Sequence, residues 1–381
     1  MKTTTETVLT NAKLVLADEV VPGTLVIRDG RIAEIDRGSA RAGKDMEGDF
    51  LIPGLVELHT DHLEGHYAPR PKVRWNPIAS VLAHDAQVAT AGITTVFDAL
   101  RVGMDYDSEL GVEDMRKLAH AIEDSVRQDR VRADHFIHLR CEVSAPDCLD
   151  AFRHFDSDER VKLASLMDHA PGQRQFASLD AYAMYYMGKL KMSEEAFRAY
   201  CEERIAQSRE NSAPNRVAIA RACRERSIVL ASHDDATVAH VEEAVEQGIR
   251  VAEFPTTAEA ALASRQAGLG VLMGAPNVMR GASHSGNVSA RDLAAEGLLD
   301  ILSSDYIPFS LIQSAFFIGE AVEGISLPQA VAMVSKNPAE AVGLTDRGII
   351  EPGRRADLVR VRVDDHVPVV RTVWREGRRV A

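Results

Sequence analysis

Phe50-Leu51-Ile52-Pro53-Gly54-Leu55-Val56-Glu57-Leu58-His59-Thr60-Asp61-His62, continuing through Glu64 and His66, is the stretch from which the rest of the chain can be read. A short apolar run punctuated by Pro53-Gly54 reads as a buried strand over 51–61. It ends in imidazoles and carboxylates where a solvated turn would ordinarily stand. Side chains two apart on a strand share a face, so His59 and Asp61 are expected to project together, with Thr60 and His62 on the other side. Such a pair is a two-toothed metal clamp. A lone histidine in this place is more simply a core residue with a satisfied ring. Three histidines and three acids within residues 57–66 favour the metal reading, and the remaining ligands must come from elsewhere in the chain.

The 381 residues could make two or three average domains, or one α/β barrel of about 250 residues with a small appendage. A hydrophobic fraction of 45% and a charged fraction of 27% are those of a globular protein with a large core. No apolar run approaches the roughly 20 residues that cross a bilayer. Residues 1–20 lack the apolar centre of a secretory signal, so a cytoplasmic protein with no membrane association is expected. Cys141, Cys148, Cys201 and Cys223 form no Cys-x-x-Cys pair and read as small core residues. A formal net charge of −13 argues against nucleic-acid binding, yet leaves room for a local cationic pocket that takes an anionic small molecule.

The first fifty residues look all-β, and Asp29-Gly30 before Arg31-Ile32-Ala33-Glu34-Ile35 is a strong hairpin signal. The same texture returns over 356–363 and 369–380. Neither end has enough strands for a stable sheet, so both termini are expected to share one small β-sandwich domain, residues 1–52 and 345–381. Between them, candidate strands at 51–61, 93–98, 135–142, 162–168, 228–233, 250–254, 270–275 and 300–305 alternate with helical runs such as 78–90, 112–127, 194–207, 236–247 and 258–267. That alternation predicts an α/β fold, a (β/α)8 TIM-like barrel over 53–344. The charged stretch 192–215 reads as helical outworks without a role.

Active sites of parallel barrels lie at the carboxyl ends of the strands. Candidate strands end in Glu142, in Asp168-His169, in His233 and in Asp305. Each alone could be a helix cap or a salt-bridged loop residue. Together with His59 and Asp61, the residues Glu142, His169, His233 and Asp305 give three histidines and three carboxylates, a donor set for two divalent ions. Zinc is the first choice, with manganese or iron as alternatives.

On these residues the chain resembles the amidohydrolase superfamily. The likeness rests on Pro53-Gly54 leading into a His-x-His-like element, the later single histidines and Asp305. It also rests on the closing Gly348-Ile349-Ile350-Glu351-Pro352-Gly353-Arg354-Arg355-Ala356-Asp357-Leu358-Val359. Within that superfamily, Pro69-Arg70-Pro71, Val73, Trp75, His138-Leu139-Arg140-Cys141-Glu142 and Arg280-Gly281-Ala282-Ser283-His284-Ser285-Gly286-Asn287 resemble a diphosphatase branch that serves phosphonate breakdown. The resemblance implies a barrel plus terminal β-domain, a metal-dependent hydrolase, and Asp305 as general base. The second tooth is Asp61 where the superfamily usually has histidine, which implies a harder oxygen ligand. The usual template takes its bridging residue from strand three or four and single histidines from strands five and six. Here Glu142, His169 and His233 count onto three, four and five, so either a strand lies unrecognised between Asp98 and Asp134 or the assignment is shifted.

Residues 65–84 and 271–290 contain no acid, and carry Arg70, Lys72 and Arg74, and Arg280, His284, Ser285 and Asn287. With Arg140, these suit a polyphosphate, because arginine forks hold phosphate oxygens and glycine lets backbone N–H groups approach. Solvated surface charge is the plainer alternative. The expected activity is hydrolysis of a phosphoanhydride in a ribosyl triphosphate, with pyrophosphate released. The partner is thus a phosphorylated sugar, and a homo-oligomer is expected. An amidase or deaminase, or a metal-binding scaffold without activity, are the competing readings.

Overall fold

The computed structural model describes residues 6–40, 42–103, 110–174, 193–283 and 286–381. The chain opens with β1 (Glu6–Val15), β2 (Val20–Arg28), β3 (Arg31–Arg37), β4 (Lys44–Asp45) and β5 (Phe50–Pro53). Asp29 and Gly30 take φ of 51° and 81°, the left-handed pair that a two-residue hairpin requires, and β2 and β3 are antiparallel on either side. The barrel strands follow: β6 (Leu55–Thr60), β7 (Ile93–Val102), β8 (Asp134–Glu142), β9 (Val161–Met167), β10 (Val229–His233), β11 (Val251–Glu253), β12 (Gly270–Gly274) and β13 (Ile301–Ser303). They are parallel and adjacent in chain order, from β6 at one end to β13 at the other. The chain closes with β14 (Leu358–Asp364), β15 (Val367–Arg375) and β16 (Arg378–Arg379).

The single strand expected over 51–61 is two strands in two different sheets. β5 lies between β1 and β14, whereas β6 begins the barrel. Gly54 is the crossing point. A Cβ there would fall 2.2 Å from Thr94 Oγ1 and 3.0 Å from Asp357 Cβ, and its N–H donates to Asp357 O at 2.8 Å. The β-sandwich expected from both termini is one ladder, β16-β15-β14-β5-β1-β2-β3 with β4 beside β1. It has its own apolar cluster, including Leu9, Leu14, Leu25, Ile32, Leu51, Leu358 and Trp374.

Inside the barrel Val56, Leu58, Phe97, Leu163, Ala231, Val251, Leu272 and Ile301 pack together, filling the lumen as branched and aromatic side chains do in such barrels. β6 and β13 are not paired by a ladder. The seam is closed by Val56 N–H to Val334 O and Leu302 N–H to Met333 O, both 2.9 Å, and by Ser303 Oγ to His59 O at 2.7 Å. Asp134, at the start of β8, accepts from Arg355 (2.6 Å), Arg347 (2.7 Å) and Arg375 (3.1 Å), and so fastens the terminal sheet to the barrel wall.

β7 runs to Val102 and a helix, Val112–Arg127, precedes β8, so among the described residues no strand intervenes between Asp98 and Asp134. Glu142, His169 and His233 therefore belong to barrel strands three, four and five. The helix expected over 194–207 extends over Glu194–Glu225, capped by the Ser193 hydroxyl and continuing through Pro214.

Candidate metal centre

The strand that begins the barrel ends at Thr60. Asp61 has φ −96° and ψ 11°, and His62 starts a short helix, His62–Tyr67, so strand alternation does not set the directions of Asp61 and His62. Asp61 Oδ2 accepts from Arg140 Nη1 at 3.2 Å. His59 is buried and points to Glu253, whose Oε1 accepts from Nδ1 at 3.2 Å. The other oxygen of Glu253 accepts from His233 Nδ1, also at 3.2 Å. One fully buried carboxylate thus takes an N–H from each of two imidazoles and leaves the Nε2 lone pair of both for another partner. The rings of His59 and His233 lie nearly parallel, 5.7 Å apart.

His233 Nε2 lies 3.5 Å from Asp234 Oδ2, and His169 Nε2 lies 3.6 Å from the same oxygen. His169 in turn donates Nδ1–H to Glu142 Oε2 at 2.7 Å, and its backbone N–H reaches Glu142 Oε1 at 3.1 Å. Two compact donor groups result at the barrel mouth: His169, His233 and Asp234, and the deeper His59, His138 and Glu253. In both, imidazole nitrogens stand beside carboxylate oxygens, the donor types that hold a divalent ion. Burial alone would lower His169, but Glu142 and Asp234 outweigh it and raise the ring to about 10. His138 is less free than the others, with Nδ1–H given to Leu58 O at 2.9 Å and Nε2 facing Ser165 Oγ at 3.0 Å.

Asp305 follows β13 with φ 54°, and its N–H donates to Ser303 Oγ at 3.2 Å. Burial, then the charge of Asp61, pushes its carboxyl up to about 7 despite the opposing Arg140. Glu57 lies on the seam, accepting from His59 N–H (2.6 Å) and Ser304 N–H (2.5 Å), and its burial raises it to about 7. Burial would raise Glu142 too, but His169 and Arg204 outweigh it and hold that carboxyl at about 2. Burial lowers His138 to about 3, so its ring is neutral.

All six residues expected as metal ligands lie at strand ends of the barrel, and hydrogen bonds or short contacts tie His59, Glu142, His169 and His233 into one network through Glu253 and Asp234. Asp61, Glu142 and Asp305 stand outside both compact donor groups. Of the residues expected to bind phosphate, Arg140 is mostly buried and joined to Asp61, while Arg70, Lys72 and Arg280 are exposed. Arg74 lies 3.7 Å from Asp114, and Asn287 is half-buried. His284 and Ser285 lie outside the described residues.

Glu253, Asp234 and Glu57 lie outside the six residues expected as ligands, although Glu57 is one of the three acids of the 57–66 cluster. Glu253 had a signal, an acid at the end of the apolar run Val251-Ala252-Glu253, at the same strand-end position that marks Glu142 and His233. The helix Glu194–Glu225 is not mere outworks. Ser208 and Ser212 hydroxyls donate to Asp168 Oδ2 (2.8 and 2.5 Å), Asn215 donates to Val143 O (2.9 Å), and Arg204 donates to Ser144 Oγ (3.2 Å).

A parallel eight-stranded barrel with buried imidazoles and carboxylates converging at its carboxyl ends is the architecture of a metal-dependent hydrolase. The profile of the amidohydrolase family matches residues 50–380. The chain is 48% identical over 377 residues to an alpha-D-ribose 1-methylphosphonate 5-triphosphate diphosphatase of Escherichia coli (strain K12), covering 98% of this chain and 100% of that one. Among solved structures, a 5-methylcytosine deaminase from Klebsiella pneumoniae superposes with TM-score 0.66 at 14% identity, over 98% of both chains. An N-acetylglucosamine-6-phosphate deacetylase from Pasteurella multocida superposes with TM-score 0.61 at 14% identity, over 98% of this chain and 99% of that one. This chain belongs to the amidohydrolase family, a metal-dependent superfamily.

Proposed function

We propose that the chain hydrolyses a phosphoanhydride of alpha-D-ribose 1-methylphosphonate 5-triphosphate, leaving the 5-phosphate and releasing pyrophosphate in phosphonate breakdown. The observation that carries this reading is the 48% identity to the diphosphatase over the full length of both chains. The deaminase and deacetylase neighbours, at 14% identity, bear on the fold alone.

In this reading His59, Asp61, Glu142, His169, His233 and Asp305 hold two divalent ions, zinc or else manganese or iron, with Asp234 as a further donor. Ions held there supply acidification of a water and neutralisation of charge on the phosphoryl group. Glu253 keeps His59 and His233 in the tautomer that exposes Nε2. Asp305, at the end of β13, accepts the proton of the attacking water. Arg70, Lys72, Arg74, Arg140 and Arg280, with Asn287, His284 and Ser285, hold the phosphates of the substrate. Arg140 does so while paired with Asp61, which couples phosphate binding to the placement of that carboxylate. Residues 1–52 and 345–381 make up the small domain and 53–344 the catalytic one, in a cytoplasmic homo-oligomer. No helix among the described residues is long and apolar enough to cross a membrane.

The test incubates metal-loaded protein with ribosyl triphosphates and, in parallel, with amides and nucleobases. Pyrophosphate from the triphosphate supports the reading. Ammonia or amine release without pyrophosphate refutes it.

A further inference from the structure

A second cluster of imidazoles lies on the outer side of the barrel wall. His62 and His66 stand one helical turn apart on His62–Tyr67, so they share a face of that helix. His84, fully buried, comes from the neighbouring helix Pro77–Thr90. The ring centroids are 5.0 Å apart for His62 and His66, and 6.1 Å for each of them from His84. One nitrogen from each ring lies within 4.8 Å of the others. A tetrahedral zinc with bonds of about 2.0–2.1 Å holds its nitrogens roughly 3.3 Å apart, so small ring movements would close the shell.

The hydrogen bonding leaves lone pairs for this purpose. His84 Nε2 is spent on Asp98 Oδ1 at 2.8 Å, and its Nδ1 is buried without a partner. His62 Nδ1 is likewise buried without a partner. His66 Nε2 faces Gln87 Oε1 at 3.1 Å, an acceptor that fixes the proton on Nε2 and leaves Nδ1 unprotonated. An unmet buried ring nitrogen costs about 1–3 kcal/mol, so two beside each other call for an occupant. The far side of His84 is held as metal-bound imidazoles are held. Asp98 takes its N–H with one oxygen and receives His135 Nδ1–H at 2.8 Å on the other, and His135 Nε2 lies 3.3 Å from Asp85. His84, Asp98 and His135 are also close together, but their facing atoms are consumed by these bonds.

We propose that His62, His66 and His84 form a zinc site distinct from the centre at the barrel mouth. An all-imidazole set favours zinc over calcium, magnesium or manganese, which prefer oxygen. The site is on the outer face of β7. Asp98 lies on the side of that strand from which Leu100 and Val102 join the helix-packed core, while Phe97 fills the lumen. His62 and His66 are partly exposed, which gives the ion a way in. Bound zinc would tie the helix that follows Asp61 to Pro77–Thr90.

The experiment titrates the metal-stripped full-length chain with Zn(II) against a chromophoric chelator, with elemental analysis of the reconstituted protein. His62→Ala and His66→Ala should each bind one zinc fewer per chain than the parent, with unchanged circular dichroism. Glu142→Gln, which perturbs only the barrel mouth, should retain the zinc that those variants lose. Asp98→Asn should weaken that zinc about 10–100-fold. Equal stoichiometry and affinity in the parent, His62→Ala and His66→Ala would overturn the proposal.

Discussion

Replacing Glu253 by glutamine isolates what a single buried carboxylate does for the barrel mouth. Each oxygen of Glu253 accepts an Nδ1–H, one from His59 and one from His233, both at 3.2 Å. An amide of the same size offers one oxygen and one NH2. One histidine keeps its acceptor. The other faces a donor and must move its proton to Nε2, which removes the lone pair it needs as a ligand. Loss of such an outer carboxylate ordinarily weakens a metal by 10–100-fold, or about 1.4–2.7 kcal/mol. Glu253→Gln should therefore fold, bind one ion 10–100-fold more weakly, and regain most of its activity when that metal is supplied in excess. Competition with a chelator of known affinity reads the shift, and the metal dependence of pyrophosphate release checks it. Parent affinity in the variant would refute the orienting role. Complete loss of an ion at any metal concentration would make Glu253 a ligand in its own right, as its place in the deeper donor group allows.

Three further outcomes are expected. Glu142→Gln should lose at least one ion and most activity while keeping the fold, since the amide has no anionic oxygen for an ion and only one acceptor for the two His169 N–H groups that Glu142 accepts; full metal content would remove Glu142 from the ligand set. Arg70→Ala, Arg74→Ala and Arg280→Ala, made separately, should include at least one that lowers kcat/KM for the triphosphate by roughly one to two orders of magnitude, from the loss of a charge-assisted bond of about 1.5–3 kcal/mol. Metal content should hold, arginine-to-lysine should rescue only partly, and three variants at parent rates would end the polyphosphate reading. Asp134→Asn should destabilise by about 3 kcal/mol in urea, at the low end for a broken buried pair because the Asp134 side chain is 25% exposed. Burial alone would raise the Asp134 carboxyl, but Arg355 and Arg347 outweigh it and lower it. Its stabilisation is thus complete above the unfolded value of about 4 and is lost as pH falls through the lower folded value, so parent and variant midpoints should converge in acid and not in base.

The eight barrel strands were legible because each is a short apolar run with a polar end, and the sheet keeps them in chain order. The same rule located Glu142, His169, His233 and Asp305. The break at Gly54 was not legible. Pro53-Gly54 punctuates the run, but apolar residues stand on both sides of it, and the approach of Thr94 and Asp357 is what shows that the chain changes sheets there. Asp61 followed a strand rule that stopped one residue too early, because His62 begins a helix. Glu253 was read as part of a strand, yet its importance lies in His59, which is 194 residues away. Such pairings are set by barrel closure, which local patterning does not encode.

The helix Glu194–Glu225 shows how the site's rigidity is distributed. Its polar surface carries no sign of an inward role, yet Ser208 and Ser212 hold Asp168, Asn215 holds the backbone carbonyls of Val143 and Ala145, and Arg204 reaches Ser144 beside Glu142. These contacts fall on the two segments that follow β8 and β9, the segments that bring Glu142 and His169 together. On the opposite side, Glu57 fixes the ends of β6 and β13 through the backbone N–H groups of His59 and Ser304. Glu253 joins the two halves, since its partners are His59 on β6 and His233 on β10. A donor set assembled in this way has its side-chain entropy lost on folding, before any ion arrives. The geometry of the donor groups is therefore held by residues that stand outside the six expected ligands.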